Sequence, residues 1–265
     1  MLTHPGFDPV AVQLGPLSLH WYGMMYLISF YIGWWLATHR ARKPGSGWTS
    51  QQLTDLLFYS VLSVILGGRI GYVLFYGFEW FIEDPLMLFR VWEGGMSFHG
   101  GFLGVLTSYV IYARMHGRTF FEVTDFLAPI YPIGLLLGRL GNFINAELWG
   151  KVTDLPWGMV FPNAGAAPRH PSQLYEAFLE GLVMFAILWW YSSKPRPRMA
   201  VSAVFCLLYG LFRFLVEFAR MPDEHIGYLV FGWFTMGMLL CVPMILVGSY
   251  VLWLAYHRDT GRRLT

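Results

Sequence analysis

The chain has 265 residues, 56% of them Ala, Val, Ile, Leu, Met, Phe, Trp, Tyr or Cys, only 13% charged, with a formal net charge of +2 and a mean hydropathy of +0.48. A soluble domain of this length carries roughly 25% charged residues, so bulk water is excluded as the main solvent of this sequence. The small net charge leaves no electrostatic footprint for nucleic acid, and Cys206 and Cys241, far apart in apolar runs, exclude a disulfide framework or a zinc site and read as small buried residues.

The residues Met1 to Val10 contain no Lys or Arg, so they lack the positive region of a cleavable signal, and the first apolar segment is expected to be retained. The runs Pro9 to His39 and His225 to His257 are free of charge, and either exceeds the ~20 apolar residues that a spanning helix needs. Apolar runs between turn signals predict an all-α, polytopic membrane protein, a single integral membrane domain over 1–265. About seven transmembrane helices are expected, near 19–38, 56–76, 97–114, 124–142, 174–192, 199–219 and 231–256. Of the 18 Lys and Arg residues, eleven fall at one set of helix ends (Arg40, Arg42, Lys43, Arg114, Arg118, Lys194, Arg196, Arg198, Arg258, Arg262 and Arg263). Four fall at the other: Arg90, Lys151, Arg169 and Arg220. Cytoplasmic ends carry the excess of basic residues, so the N-terminus is expected outside and the C-terminus in the cytoplasm.

Three arginines remain, Arg69, Arg139 and Arg213, late in the second, fourth and sixth predicted spans. All three spans run outward, which places the arginines at similar depth in the outer half of the membrane. A charge near the bilayer centre costs at least ~2.5–3.5 kcal/mol on insertion scales. One arginine is explained by snorkelling to the headgroups, whereas three at one level with polar neighbours point to a shared pocket. In chain order, those neighbours begin with Tyr22 in "LHWYG" (19–23), beside Trp21, which reads as an interfacial belt residue. Gly67 and Gly71, Gly100 and Gly104, and Gly134 and Gly138 share a four-residue spacing that lets membrane helices approach closely, and this packing is expected to gather Arg69, His99 and Arg139. His99, in "GGMSFHGG" (94–101), falls at a helix N-terminus, where the helix dipole disfavours imidazolium, and is the candidate base; alone, it reads as an interfacial residue. "GRLGNFINAELWG" (138–150) advances Arg139, Asn142 and Asn145 three residues at a time along one helix side, with the helix ending near 141–146 and Glu147 turning back toward the arginine. A Pro- and Gly-rich loop over 148–173 follows, with Ser172 as the expected N-cap of the next helix. "YGLFRFLVEFAR" (209–220) aligns Tyr209, Arg213, Glu217 and Arg220 on one helix face. The set is net positive, and guanidinium groups bind phosphate bidentately, so an anionic phospholipid is the natural ligand.

These stretches, together with "GGRIGYVLFY" (67–76) and "RHPSQLYE" (169–176), resemble the prolipoprotein diacylglyceryl transferase family of bacterial inner membranes, in the family's order and over almost the whole chain. The 148–173 loop is shorter than in some members. The resemblance implies transfer of the diacylglyceryl group of phosphatidylglycerol to the lipobox cysteine thiol of a prolipoprotein signal peptide, releasing glycerol phosphate. It implies no metal or diffusible cofactor, and a multi-pass enzyme of the inner membrane with its active site toward the periplasm. Arg139 and Arg213 would hold the phosphate and His99 would be the base, with an arginine as the other candidate for handling the thiol proton. Tyr22, Asn142, Glu147, Gly150, Tyr209 and Glu217 match positions important to the family, and Arg69 and Arg220 are weaker substrate-binding assignments. Two other readings suit intramembrane arginines: an anion transporter, against which no inverted halves are visible, and a lipid-binding scaffold, which would leave His99 unexplained.

Overall fold

The computed structural model describes residues 2–15, 17–222 and 227–263. Its helices of eight residues or more are α1 (Trp21–Ala41), α2 (Ser50–Phe75), α3 (Phe98–Met115), α4 (Phe120–Leu127), α5 (Tyr131–Ile144), α6 (Ser172–Tyr191), α7 (Ala200–Glu217) and α8 (Met236–Arg263), with short helical turns at Phe78–Glu83, Pro85–Phe89 and Val91–Glu93. Helices thus occupy all seven expected places. Four of them, α2, α6, α7 and α8 as far as Arg258, are long and apolar enough to cross a membrane, and α4 with α5 make a fifth candidate if the bent pair is one span. The expected continuous helix over 124–142 is instead broken, with a bend of 53°. Pro129 disfavours helical backbone at Ala128 before it, and Pro132 sits in the first turn of α5, where its missing N–H costs nothing. The second helix starts earlier than expected because Thr49 and Gln52 form a reciprocal capping box. Among the described residues, strands form three two-stranded pairs: Leu2–Thr3 with Met159–Val160, Val10–Leu14 with Leu17–His20, and Tyr228–Val230 with Phe234–Thr235.

The chain forms two compact units, 37–124 and 1–36 with 125–265. In the first, α2 and α3 pack as an antiparallel pair on their small residues. A Cβ at Gly67 would meet the Gly100 carbonyl oxygen at 2.5 Å, and one at Gly71 would meet the Gly100 Cα at 2.7 Å. One end of the pair is closed by Trp48, which stacks on Tyr112 and receives the Arg118 guanidinium 4.0 Å from its ring.

In the second unit, α5, α6, α7 and α8 pack in succession. Gly181 of α6 meets Leu136 of α5, where a Cβ would lie 2.7 Å from the Leu136 Cβ. Gly210 of α7 and Gly248 of α8 each face the other helix's backbone at van der Waals limits. Ala128, Met184, Leu188 and Val201 form a buried apolar cluster between these helices. Asp125 caps α7, its carboxylate accepting from the N–H groups of Met199 at 2.7 Å and Ser202 at 2.8 Å and from the Ser202 hydroxyl at 2.6 Å. The third expected glycine pair behaves differently: Gly134 and Gly138 have open space where a Cβ would stand. Close approach on α5 falls instead at Gly141, against Tyr22 of α1.

Within a packed glycine seam the added methyl has nowhere to go. Gly67→Ala is therefore expected to destabilise the detergent-solubilised protein by about 1–3 kcal/mol, whereas Gly134→Ala, in open space inside a helix, should be neutral or stabilising by roughly 0.5–1 kcal/mol. Thermal unfolding of the two variants side by side checks the contrast; equal stability would remove the seam.

Candidate functional site

The expected site residues divide between the two units. Arg69 and His99 belong to the unit 37–124; Tyr22, Arg139, Asn142, Glu147, Gly150, Tyr209, Arg213, Glu217 and Arg220 belong to the other. Arg69 is buried and spends its guanidinium on backbone. Its Nε donates to Leu88 O at 3.3 Å, Nη1 to Gly94 O and to Gly95 O at 3.1 Å, and Nη2 to Met87 O. It thereby clamps the irregular segment 85–95 to α2. His99 is exposed, the second residue of α3, whose N-cap is the Ser97 hydroxyl bound by Gly100 N–H at 3.2 Å.

The nine residues of the other unit centre on a charge cluster. Arg139 comes from the last turns of α5, Arg213 from the second half of α7, and Arg220 from just beyond its end. They converge on Glu176, which is fully buried at the end of the first, α-helical part of α6. Glu176 Oε2 takes Arg139 Nε at 2.6 Å and Arg213 Nη1 at 3.3 Å, while Oε1 takes Arg220 Nη1 at 2.7 Å. A second carboxylate, Glu217, lies 3.0 Å from Arg213 Nη2 and 3.5 Å from Arg220 Nε, so the expected Arg213–Glu217 pair is present as part of a larger network. The Thr235 hydroxyl donates to Glu217 Oε1 at 3.1 Å. A third, Glu180, also fully buried, has neither carboxylate oxygen hydrogen-bonded and faces Glu176 and all three arginines. Tyr209 lies within electrostatic reach of Glu180, Arg213 and Arg139. Glu176 and Glu180 were not among the expected site residues. They stand four residues apart, which puts them on one side of the helix, and α6 turns π-helical over Ala177–Val183, a distortion that recurs at functional sites.

The sequence motif 138–150 builds the rest. Helix α5 ends at Ile144, and Ala146 and Leu148 both take left-handed backbone, with φ of 53° and 58°. That is strained for residues with a Cβ, by of order 1–3 kcal/mol each. Three bonds hold the turn: Glu147 N–H to Asn142 O at 3.0 Å, Gln173 Nε2 to Glu147 O at 2.5 Å and the Ser172 hydroxyl to Leu148 O at 3.0 Å. Ser172 therefore ties the loop and does not cap α6, whose N-cap position is Pro171. The turn points the Glu147 side chain back at Asn142, whose Nδ2 donates to Oε1 at 2.8 Å; Asn145 Nδ2 reaches the same oxygen at 3.4 Å. Asn142 Oδ1 in turn accepts from Arg139 Nη1 at 3.4 Å. Glu147 thus reaches Arg139 through Asn142, not directly. Buried His4 braces the turn, its Nε2–H donating to Phe143 O at 2.8 Å while Nδ1 accepts from Gly6 N–H at 3.1 Å. Tyr22 packs on Gly141 and shares a 3.3 Å hydrogen bond with Tyr26.

Gly150 works by absence of a side chain. It pairs with Arg220 in an antiparallel bridge, and a Cβ there would lie 2.8 Å from the His170 Cβ. Arg169 lies over the Trp149 ring at 4.1 Å and donates to Gly150 O at 3.3 Å. Burial, with the Lys151 ammonium adding to it, lowers the His170 pKa below the ordinary imidazole value. The neutral ring therefore accepts at Nδ1 from the Tyr175 hydroxyl at 3.1 Å, whose oxygen accepts from Trp157 Nε1 at 2.8 Å. Among the described residues no group of three or more His, Cys, Asp or Glu is arranged to hold a metal ion.

The Glu217 carboxylate presses on the backbone of α8, where a Cβ at Gly237 would come 2.6 Å from Oε1. Gly237→Ala is expected to displace that carboxylate from Arg213 and Arg220 and to destabilise the protein by about 1–3 kcal/mol. An unchanged thermal unfolding midpoint would show that the cluster tolerates the shift.

The chain matches the family model described as prolipoprotein diacylglyceryl transferase over residues 9–254. Proteins named phosphatidylglycerol–prolipoprotein diacylglyceryl transferase are similar along their full length. That of Methylococcus capsulatus is 60% identical over 262 residues, covering 98% of this chain and 100% of the relative. That of Coxiella burnetii is 57% identical over 260 residues with the same coverage. That of Pseudomonas paraeruginosa is 55% identical over 262 residues, covering 99% and 98%. Three arginines around a buried glutamate, in a chain of membrane-type helices that matches this model from its first hairpin to its last helix, leave no doubt of kinship: the chain belongs to the prolipoprotein diacylglyceryl transferase family.

Proposed function

We propose that this chain transfers the diacylglyceryl group of phosphatidylglycerol to the lipobox cysteine thiol of a prolipoprotein signal peptide, forming a thioether and releasing glycerol phosphate. The names of its relatives support the reaction, and one observation carries the reading for this site. Arg139 meets an acid through its Nε alone among the described residues. Its Nη1 makes only the 3.4 Å bond to Asn142, and its Nη2 has no protein partner among the described residues. A guanidinium anchored this way offers its terminal edge to a phosphate.

In the reaction the thiol loses its proton, because the thiolate is the nucleophile. Sulfur attacks the diacylglyceryl CH2 bonded to the phosphate oxygen, the C–S bond forms, the C–O bond breaks, and the electron pair leaves with the phosphate. Arg139 grips that phosphate and neutralises the charge that grows on the departing oxygen. Arg213 and Arg220, already paired with Glu176 and Glu217, supply the positive field behind it. Asn142 and Glu147 keep the Arg139 fork in plane, Tyr22 packs beneath the α5 turn, Tyr209 lines the cluster, and Gly150 lets the loop close on Arg220. His99, exposed at the start of α3, takes the thiol proton, and Arg69 serves by holding the 85–95 segment.

The helices α1 to α8 form seven spans in this reading, with the α4–α5 pair as one broken span. The eleven-to-four distribution of basic residues puts the N-terminus outside and the C-terminus in the cytoplasm of a bacterial inner membrane, with the site toward the periplasm. A periplasm-only reporter fused after Thr265 should stay silent, and its activity would reverse the topology.

The purified protein should lipidate a lipobox peptide with phosphatidylglycerol and not with zwitterionic phosphatidylcholine; equal turnover of the two would contradict the phosphate-binding role of the cluster. Arg139→Lys keeps the charge and loses the planar fork. Loss of one oriented donor to a developing anion costs ~10²–10³ in rate, and that loss is expected per mole of folded protein. If Arg139 only braces helices, the lysine variant will work near normally.

A further inference from the structure

The three arginines meet one buried carboxylate but present different edges to it. Arg213 spends both terminal nitrogens on carboxylates, Nη1 on Glu176 and Nη2 on Glu217. Arg220 gives Nη1 to Glu176 and turns Nε to Glu217. Arg139 is gripped side-on, by a short 2.6 Å contact at Nε. A guanidinium can present two parallel N–H bonds from the Nη1–Nη2 edge or from the Nε–Nη2 edge. With the Nε side of Arg139 against Glu176, its terminal edge carries a single hydrogen bond within the protein among the described residues, the 3.4 Å bond to Asn142.

We infer that Glu176 is the positioning residue that selects this edge, fixing Arg139 for the substrate phosphate. The inference rests on the transferase reading above and adds to it the group that makes Arg139 functional. The side chain of Arg139 is long and 21% exposed, and its 3.4 Å bond to Asn142 is too long to fix the guanidinium by itself. Glu176 does so because it cannot move. It is fully buried and tied at its other oxygen by Arg220 Nη1 at 2.7 Å. Arg220 is in turn anchored by the Gly150 bridge. Chain segments on both sides of the 148–173 loop thus determine where Arg139 points. Glu180, behind Glu176 on the π-helical segment, adds negative charge to the field but takes no hydrogen bond from any arginine.

The test is a double-mutant cycle read as kcat/KM for phosphatidylglycerol in lipidation of a lipobox peptide. With Arg139 present, Glu176→Gln is expected to lower kcat/KM by about 10²-fold, the cost of a misaimed donor. In an Arg139→Lys background, where there is no fork to aim, the same change should cost less than about threefold, since coupled residues are not additive. A similar factor in both backgrounds would overturn the inference and leave Glu176 as a brace of the fold. Should Glu176→Gln not yield folded protein, Glu176→Asp, one methylene short with its charge kept, goes through the same cycle with the same two outcomes. Retention of phosphatidylglycerol on each variant, followed by native mass spectrometry, separates this inference from the function. A wild-type chain that retains the lipid without lipidating the peptide fails the reaction, and the cycle is then judged on retention alone.

Discussion

Everything in the charge cluster depends on keeping the Glu176 carboxylate out of water. An ion moved from water into a protein interior pays an effective penalty of several kcal/mol, repaid only by close, well-directed partners. Glu176 has three cationic neighbours, from two helices and a chain turn: Arg220 hydrogen-bonds to it, and Arg139 and Arg213 stand in ion-pair contact. Among the described residues, Arg139 has no other carboxylate partner, while Arg213 and Arg220 also reach buried Glu217. Such a cluster adds little net stability compared with an apolar core. Its effect is specificity: α5, α6 and α7 can pack in only one register if three guanidinium groups are to reach one carboxylate, and a cluster missing one partner leaves a buried charge uncompensated at a cost of 3–5 kcal/mol. The glycine contacts at Gly181 and Gly210 are the apolar counterpart of that constraint, since they bring the helices close enough for the side chains to meet.

Helix positions were legible in the sequence because apolar runs are bounded by basic residues, prolines and glycines, and the membrane makes that pattern strong. The break at 128–130 was not, since hydropathy continues across Pro129 and only the backbone restriction of proline interrupts it. The arginines of α5 and α7 stood out as costly charges and do converge. The reach of Arg69 did not stand out, because its partners are main-chain carbonyls 18 to 26 residues further on, and a backbone oxygen has no sequence signature.

Glu176 and Glu180 show where the reading of charges stopped short. The arginines inside predicted spans draw attention as lone charges, whereas Glu176 closes the stretch "RHPSQLYE" at a helix start, where an acid is ordinary. The same cost argument applied to acids would have found them, for both lie inside the fifth predicted span and an apolar helix does not carry two carboxylates without cations to meet them. The strained turn at Ala146 and Leu148 had no such signal. Neither residue is a glycine, and their left-handed backbone becomes affordable only through bonds from Ser172 and Gln173, more than twenty residues away.

The π-helical segment of α6 acts as a phase shifter between two solvents within one helix. Above it, Glu176 faces guanidinium groups; below it, Met184 and Leu188 face the apolar cluster of Ala128 and Val201. An α-helix advances about 100° per residue, and a wider turn accommodates one more residue in the same circuit. Residues 177–183 therefore hold the surplus that lets both faces be correct at once. Removing any one of them would restore regular winding and swing one half of α6 by about a quarter turn relative to the other. Either the carboxylates would turn toward lipid or the methionine and leucine would turn away from their cluster. In this stretch the number of residues, more than their identity, is what the helix cannot trade away.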